Sequence, residues 1–453
     1  MPTPLRTAAW LAPCLLFVGA ACPGPAPQPP LGPWRIDAVT SSVRVDSNGV
    51  FALWRGEDEL LSFPLDAFQL GTVFTLDNGL SYDPFWLENT EDPVNPGPPR
   101  DLEWRRLVST DVQQEGPTRL LLRQTFEGGA RAEVTLEAAD EGHVTMRWAP
   151  VQVPADEAVA WMRVRARADD SEGFYGLGGW FDAVNHRGRL RPMQMEADLS
   201  LEGGNNEVHT PVPFLVGTTG WGLFVASRRL GLFDVARKES DLVEVTYGTA
   251  EESAAGLLVH LFAEEQPLDL TRHYYRVTGQ PRLPAPWALG PWLWRNENRD
   301  QAQVLDDIRL IRELDLATSG IWIDRPYATR VNTFDFKPSQ FPDAPAMIQA
   351  IRDHGLRLAL WHTPYLEPEA QPFLDEAEAA GYFPPTPGVR LNHWGDLLDL
   401  TNTSAFAWWQ GLIRRYTDLG VEGFKLDYAE DVLPSLYDGR NTWRFSDGST
   451  SSA

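Results

Sequence analysis

Two hydrophobic rhythms divide this chain. From Trp34 to about Ala263, apolar and polar positions alternate in short runs: Ser42–Val45, Val50–Trp54, Arg119–Phe126, Ala132–Leu136, His143–Trp148 and Leu242–Tyr247. Gly, Pro, Asn and Asp punctuate them. Alternation places successive side chains on opposite faces of a strand. Evenly spaced runs of this kind with turn signals between them predict an antiparallel β-sandwich without a helix of consequence. After Leu283-Pro284-Ala285-Pro286 the rhythm changes. Trp287–Trp294 reads as a strand, and Gln301–Leu314 carries Val304, Leu305, Ile308, Ile311 and Leu314 at helical spacing. Ser319–Asp324 is a second strand, Pro345–His354 a helix stopped by Gly355, and Leu356–His362 a third strand. Asn402-Thr403-Ser404 offers capping residues for a helix to about Asp418, and a fourth strand ends at Asp427. Strand–helix alternation builds either a barrel or a doubly wound sheet. No Gly-rich phosphate loop follows any strand, which disfavours a nucleotide site.

These rhythms give the expected organisation: a sandwich over residues 34–265, a connector over 266–285, and the N-terminal half of a (β/α)8 TIM barrel over 286–453. Residues 1–22 are set apart as a targeting segment. Trp10–Val18 is apolar but too short to span a bilayer, and Gly19-Ala20-Ala21-Cys22 resembles a bacterial lipoprotein signal with Cys22 as the lipidated residue. A plain secretory signal is the alternative. Residues 23–33, rich in proline, read as a stiff spacer. The expected location is outside the cytoplasm, tethered through Cys22 or secreted.

Composition narrows the ligand. With 39 Lys and Arg against 63 Asp and Glu, the net charge is −24. That balance argues against nucleic acid, which wants a basic stripe, and against docking on anionic lipid. Cys14 and Cys22 are the only cysteines, and the eight histidines show no metal-binding spacing. No metal and no cofactor is expected. An acidic chain with 18 Trp suits an uncharged ligand such as a sugar.

The chemistry concentrates in Gly423-Phe424-Lys425-Leu426-Asp427-Tyr428-Ala429-Glu430. Catalytic groups of a (β/α) barrel sit at the C-terminal ends of its strands. Lys425 and Asp427 are two apart and face the same way. A carboxylate with a cation beside it suits a nucleophile that must stay ionised; a buried Asp satisfied by backbone donors or by Lys425 is the structural alternative.

Several further stretches resemble glycoside hydrolase family 31, the retaining α-glycosidases. They are Tyr175-Gly176-Leu177-Gly178-Gly179-Trp180-Phe181-Asp182 with Arg187-Gly188; Thr210–Phe214 with Gly220–Val225; Tyr275–Gly279 with Trp287–Gly290; Trp322-Ile323-Asp324 with Phe334, Phe336 and Phe341-Pro342-Asp343; and Asp399–Asn402 with Trp408-Trp409. Their order and spread, from about residue 170 to 431, carry the resemblance. It implies that Asp427 is the nucleophile, with Glu430 as the supporting member of an Asp-x-x-Glu motif. It implies that Asp324 binds sugar hydroxyls, that Trp394 walls the same subsite, and that Lys425 belongs to a Phe-Lys-x-Asp form closer to the α-xylosidase branch than to the α-glucosidases. The implied substrate is an α-linked oligosaccharide or glycoside. His362 and Arg325 follow the third and second strands as further candidates for sugar contact. Trp292, Trp294, Trp322 and Trp361 are expected to pack the barrel core, with those near the mouth able to stack on sugar instead.

An eight-stranded barrel takes about 250 residues, and only four strands are read here. The family's acid/base Asp has no counterpart in this sequence, so a chain lacking that residue is expected. A surface-tethered carbohydrate-binding protein without catalysis is the alternative from a different class. Oligomeric state is not legible.

Overall fold

The computed structural model describes residues 34–74, 102–139, 142–193, 208–249, 255–388, 394–428 and 443–450. The targeting segment, the proline-rich spacer, Cys22 and Glu430 lie outside the described residues.

The N-terminal part is sheet-rich, as the alternating rhythm predicts. One antiparallel layer contains Trp34–Asp37, Ser42–Val45, Phe51–Arg55, Asp58–Phe63, Phe68–Val73, Ala158–Arg167, Leu242–Gly248, Gly231–Val235 and Arg189–Met193. A second contains Arg119–Phe126, Arg131–Ala138, Val144–Gln152, Leu257–Ala263, Trp221–Val225, Val208–Gly217 and Phe174–Trp180. The long strand Glu103–Gln114 pairs into both. Their inward side chains meet in one core, where the Phe68 and Trp148 rings lie 5.0 Å apart. Each such side chain contributes about 1.5–3 kcal/mol by leaving water.

The glycine run of Tyr175–Trp180 has a backbone cause. Gly176 and Gly178 sit at φ +102° and +98°, and a Cβ on either would lie 2.2 Å from the Phe214 carbonyl oxygen or 2.1 Å from that of Thr210. Only glycine lets the two strands approach there.

The helix Leu270–Thr278 corrects the reading of 266–285 as a plain connector. Tyr274 stacks on Phe214 with ring centroids 4.8 Å apart, and the His273 ring nitrogen Nε2 meets Glu264 Oε1 at 2.6 Å. Leu270, Tyr274 and Val277 fall at helical spacing. Trp287–Trp294 is likewise not one strand. Pro286–Leu289 forms a 3-10 turn, and the strand is Trp292–Arg295. Gly290-Pro291 separates the two.

Beyond this point a four-stranded parallel sheet forms in chain order: Trp292–Arg295, Gly320–Ile323, Arg357–His362 and Gly423–Leu426. Helices Gln301–Glu313, Ala344–Asp353 and Thr403–Thr417 connect them, each begun by a side chain that accepts a free backbone N–H: Asp300 from Gln303, Asp343 from Ala346, and Asn402 from Ser404 and Ala405. A further helix, Phe373–Ala380, and a two-residue pairing of Tyr365–Leu366 with Asp396–Leu397 lie between the third and fourth strands. Neither was anticipated, because short runs give little periodicity.

The two faces of this sheet differ chemically. Ile321, Ile323, Leu358, Leu360 and Phe424 face the helices and pack on Val304, Ile308, Met347, Ile351 and Tyr416. The opposite face carries the tryptophans and Lys425.

Candidate active site

Register decides which residues share the tryptophan face. Trp294 pairs with Trp322, Trp322 with Ala359, Ala359 with Gly423, and Trp361 with Lys425. Ala359 and Gly423 are small where the indoles need room. A Cβ on Gly320 would meet the Trp292 ring at 2.5 Å, so that position too must be glycine.

Asp324 and Asp427 emerge just beyond the second and fourth strands, with the third strand between them. The Lys425 ammonium joins them, with Nζ 3.4 Å from Asp324 Oδ2 and 3.1 Å from Asp427 Oδ2. Asp324 is 5% exposed. Its Oδ2 also accepts from Trp294 Nε1 at 2.8 Å and Trp322 Nε1 at 3.1 Å, and its Oδ1 accepts the Arg325 backbone N–H at 2.9 Å. A buried carboxylate needs such a set of donors, since an unpaired one would be strongly destabilising. The single bond at Oδ1 leaves that oxygen room for another donor.

Asp427 is more open. Its Oδ2 accepts from Trp361 Nε1 at 2.8 Å, and its backbone N–H donates to the His362 carbonyl at 2.9 Å. Among the described residues no donor reaches Oδ1, and the side chain keeps 32% of its exposure. One oxygen is thus fixed and the other presented. The chain turns away at once: Tyr428 has φ +55°, a left-handed conformation that a side-chain-bearing residue adopts at a cost. Its ring packs 5.0 Å from Trp394, and the Thr363 hydroxyl donates to its carbonyl at 3.1 Å.

Trp394 stands beside the carboxylates, its ring 5.4 Å from that of Trp361. The Arg325 guanidinium lies over Trp394 at 4.2 Å and near Trp361 at 5.8 Å. His362 is a correction. It belongs to the helix-facing side, is 2% exposed, and sits among Phe334, Trp409 and Phe424. Burial pushes its imidazole down to about 4. It is a neutral core residue and touches no sugar from there.

The tryptophans also differ from expectation. Trp294, Trp322 and Trp361 were assigned to core packing, yet their indole N–H groups all aim at the two carboxylates. The spacing Trp322-x-Asp324 was a usable signal, because residues two apart share a face. Nothing in the sequence ties Trp361 to Asp427. Asp399, within a motif quoted above, is structural. It is fully buried and accepts from Thr401 and Ser446, each through both backbone N–H and hydroxyl. Burial alone would raise its carboxyl, but the bonds from Ser446 and Thr401 outweigh it and hold it low. Among the described residues no group of His, Cys, Asp and Glu could hold a metal ion.

A parallel sheet with two carboxylates past its strand ends makes this the candidate active site. Residues 281–450 match the model of the Glycosyl hydrolases family 31 TIM-barrel domain. Over that span the chain resembles glycoside hydrolase family 31. It is 26% identical over 303 residues to "Alpha-xylosidase XylQ" of Lactiplantibacillus pentosus, covering 63% of this chain and 38% of that protein. Among solved structures, a sulfoquinovosidase of the family from E. rectale superposes with TM-score 0.62 at 21% identity, covering 90% of this chain and 61% of the other. A Flavobacterium johnsoniae dextranase complexed with isomaltotriose gives TM-score 0.56 at 16% identity, over 92% of this chain and 50% of that one. The chain therefore spans well under half of the curated α-xylosidase.

Proposed function

We propose that this chain belongs to an α-glycosidase acting with retention, and that Asp427 is its nucleophile. The carrying observation is the division of labour at Asp427, where Trp361 and Lys425 hold Oδ2 while no described donor reaches Oδ1. In the proposed reaction Oδ1 attacks the anomeric carbon as the bond to the leaving oxygen breaks, and that oxygen takes a proton from a general acid. Water then adds to the same carbon, gives up its proton, and releases the Asp427 carboxylate. Asp324, with lone-pair capacity left at Oδ1, accepts a sugar hydroxyl, and Trp394 offers a face to the ring. The general acid is not assigned among the described residues. The four parallel strands are proposed as part of a TIM barrel, and the sandwich at 34–265 as its N-terminal companion. Export, with or without a lipid at Cys22, is proposed from residues 1–22 alone.

The test avoids the unassigned acid. A 2-deoxy-2-fluoro α-glycosyl fluoride needs no protonation of its leaving group, so the nucleophile alone can form the glycosyl ester. Intact-mass analysis is expected to show one added sugar, on the peptide containing Asp427, and none in Asp427→Ala. Labelling elsewhere, or equal labelling of the variant, would refute the assignment. Saturable sugar binding without labelling would favour the carbohydrate-binding alternative.

A further inference from the structure

Among the described residues Arg325 is a cation at this site that has no ion-pair partner. Lys425 is occupied by Asp324 and Asp427. Nearby, Arg295 pairs with Asp307, Arg309 with Asp306 and Glu313, Arg330 with Glu367 and Arg357 with Glu422, while Arg312 donates to the His354 carbonyl and Arg415 lies over the Phe373 ring. Such pairing is the expected state of a chain with 63 acidic and 39 basic side chains. Among the described residues no carboxylate pairs with Arg325. What holds it is aromatic: Trp394 at 4.2 Å and Trp361 at 5.8 Å from Cζ.

Stacking a guanidinium on an indole fixes its plane and leaves its N–H edge free to donate. The backbone beneath it is held as well, since the Arg325 N–H donates to Asp324 Oδ1 at 2.9 Å. Trp361 connects it to the chemistry, because the ring near the guanidinium sends its Nε1–H to Asp427. A sugar whose anomeric carbon sits at Asp427 is therefore within the neighbourhood of a planar, stacked guanidinium that has no ion-pair partner among the described residues.

We propose that Arg325 recognises an anionic substituent on the glycoside, so that the substrate class is an acidic sugar carrying a carboxylate or another oxyanion. This rests on the glycosidase reading and narrows its substrate. The net charge of −24 repels anions at long range, so selection has to come from this local contact. A charge-assisted hydrogen bond of this kind corresponds to roughly ten- to a hundredfold in affinity.

The matched probes are methyl α-glucuronide and methyl α-glucoside, which differ only at C6, with glucoside 6-sulfate as a second anion. Dissociation constants of the full chain are read from tryptophan fluorescence at low salt. The anionic glycosides are expected to bind at least tenfold more tightly than the neutral one. In Arg325→Gln that ratio falls to about one, while Arg325→Lys keeps part of it; circular dichroism confirms that both variants fold. Equal binding by the wild-type chain, or a preference that survives Arg325→Gln, would overturn the proposal and leave the assignment of Asp427 standing. If no glycoside binds and the fluoride does not label, both fall together.

Discussion

Trp361 and Asp427 are joined across adjacent parallel strands by a 2.8 Å hydrogen bond from indole Nε1–H to Oδ2. The bond decides which carboxylate oxygen is held and which is presented. A hydrogen bond to an ionised group contributes about 1.5–3 kcal/mol. In Trp361→Phe the fluoride labelling rate is expected to fall by about tenfold or more. Trp409→Phe is the control. Trp409 is also buried but lies on the helix-facing side of the sheet, so its loss is expected to lower stability and leave labelling intact. Equal effects from the two variants would reduce Trp361 to a packing residue.

Lys425→Met leaves two carboxylates facing each other without their cation. Removing one partner of a buried ion pair is strongly destabilising, but the Lys425 and Asp427 side chains are each 32% exposed. Solvent screening brings the expected loss to about 1 kcal/mol. Urea unfolding at low salt measures it. The deficit should shrink in high salt, which screens the remaining repulsion, and Lys425→Arg should restore most of it. A salt-independent loss would point to packing instead.

Acid should destabilise both parts of the chain through histidine before the carboxylates take over. His143, 1% exposed, shares a 2.8 Å contact between its Nε2 and His260 Nδ1. One nitrogen of that contact must accept, so the pair cannot hold two full charges. Burial, then the charges of His260, His273 and Arg276, push His143 down to about 4, and burial alone does the same to His362. Both folded values lie below the ordinary 6.5. The unfolded chain therefore binds more protons between pH 6.5 and 4, and stability is full above 6.5 and falls through that window as acid is added. Each histidine can account for up to about 3 kcal/mol. Melting temperatures at pH 7 and 4.5 check this, with His143→Phe and His362→Phe each expected to flatten the profile. Below pH 4 the hydrogen-bonded carboxyls held low, Asp399 and Asp335, lose their contribution in turn.

Much of the architecture was legible because its signals are local. Alternation marked the sandwich strands within a few residues, helical spacing marked Gln301–Leu314, and the capping residues Asn402-Thr403-Ser404 placed the start of the last helix. The helix Leu270–Thr278 was harder to read because nine residues give only a weak period. At the site, the side Lys425 and Asp427 share follows from strand geometry alone. Their link to Asp324, one hundred residues earlier, depends on strand order and on the reach of a lysine. The indole donors were illegible for a further reason: a tryptophan in a strand has the same pattern whether its N–H is buried in a core or spent on a carboxylate. His362 was misjudged because position after a strand says nothing of which face a side chain takes.

The third strand, which supplies no acid, turns out to be the frame on which the site's polarity hangs. Trp361 and His362 are consecutive and face opposite ways. A slip of one residue would exchange them. The indole would be thrust among Phe334, Trp409 and Phe424, and a neutral imidazole would stand where Asp427 now finds its donor. The hairpin beyond would move with it, since Asn332 Nδ2 binds the carbonyls of Thr363 and Tyr365 at 2.5 and 2.6 Å. Those two bonds act as a latch on phase. The side chain of Asn332, touching neither carboxylate, keeps the strand in step with its neighbours.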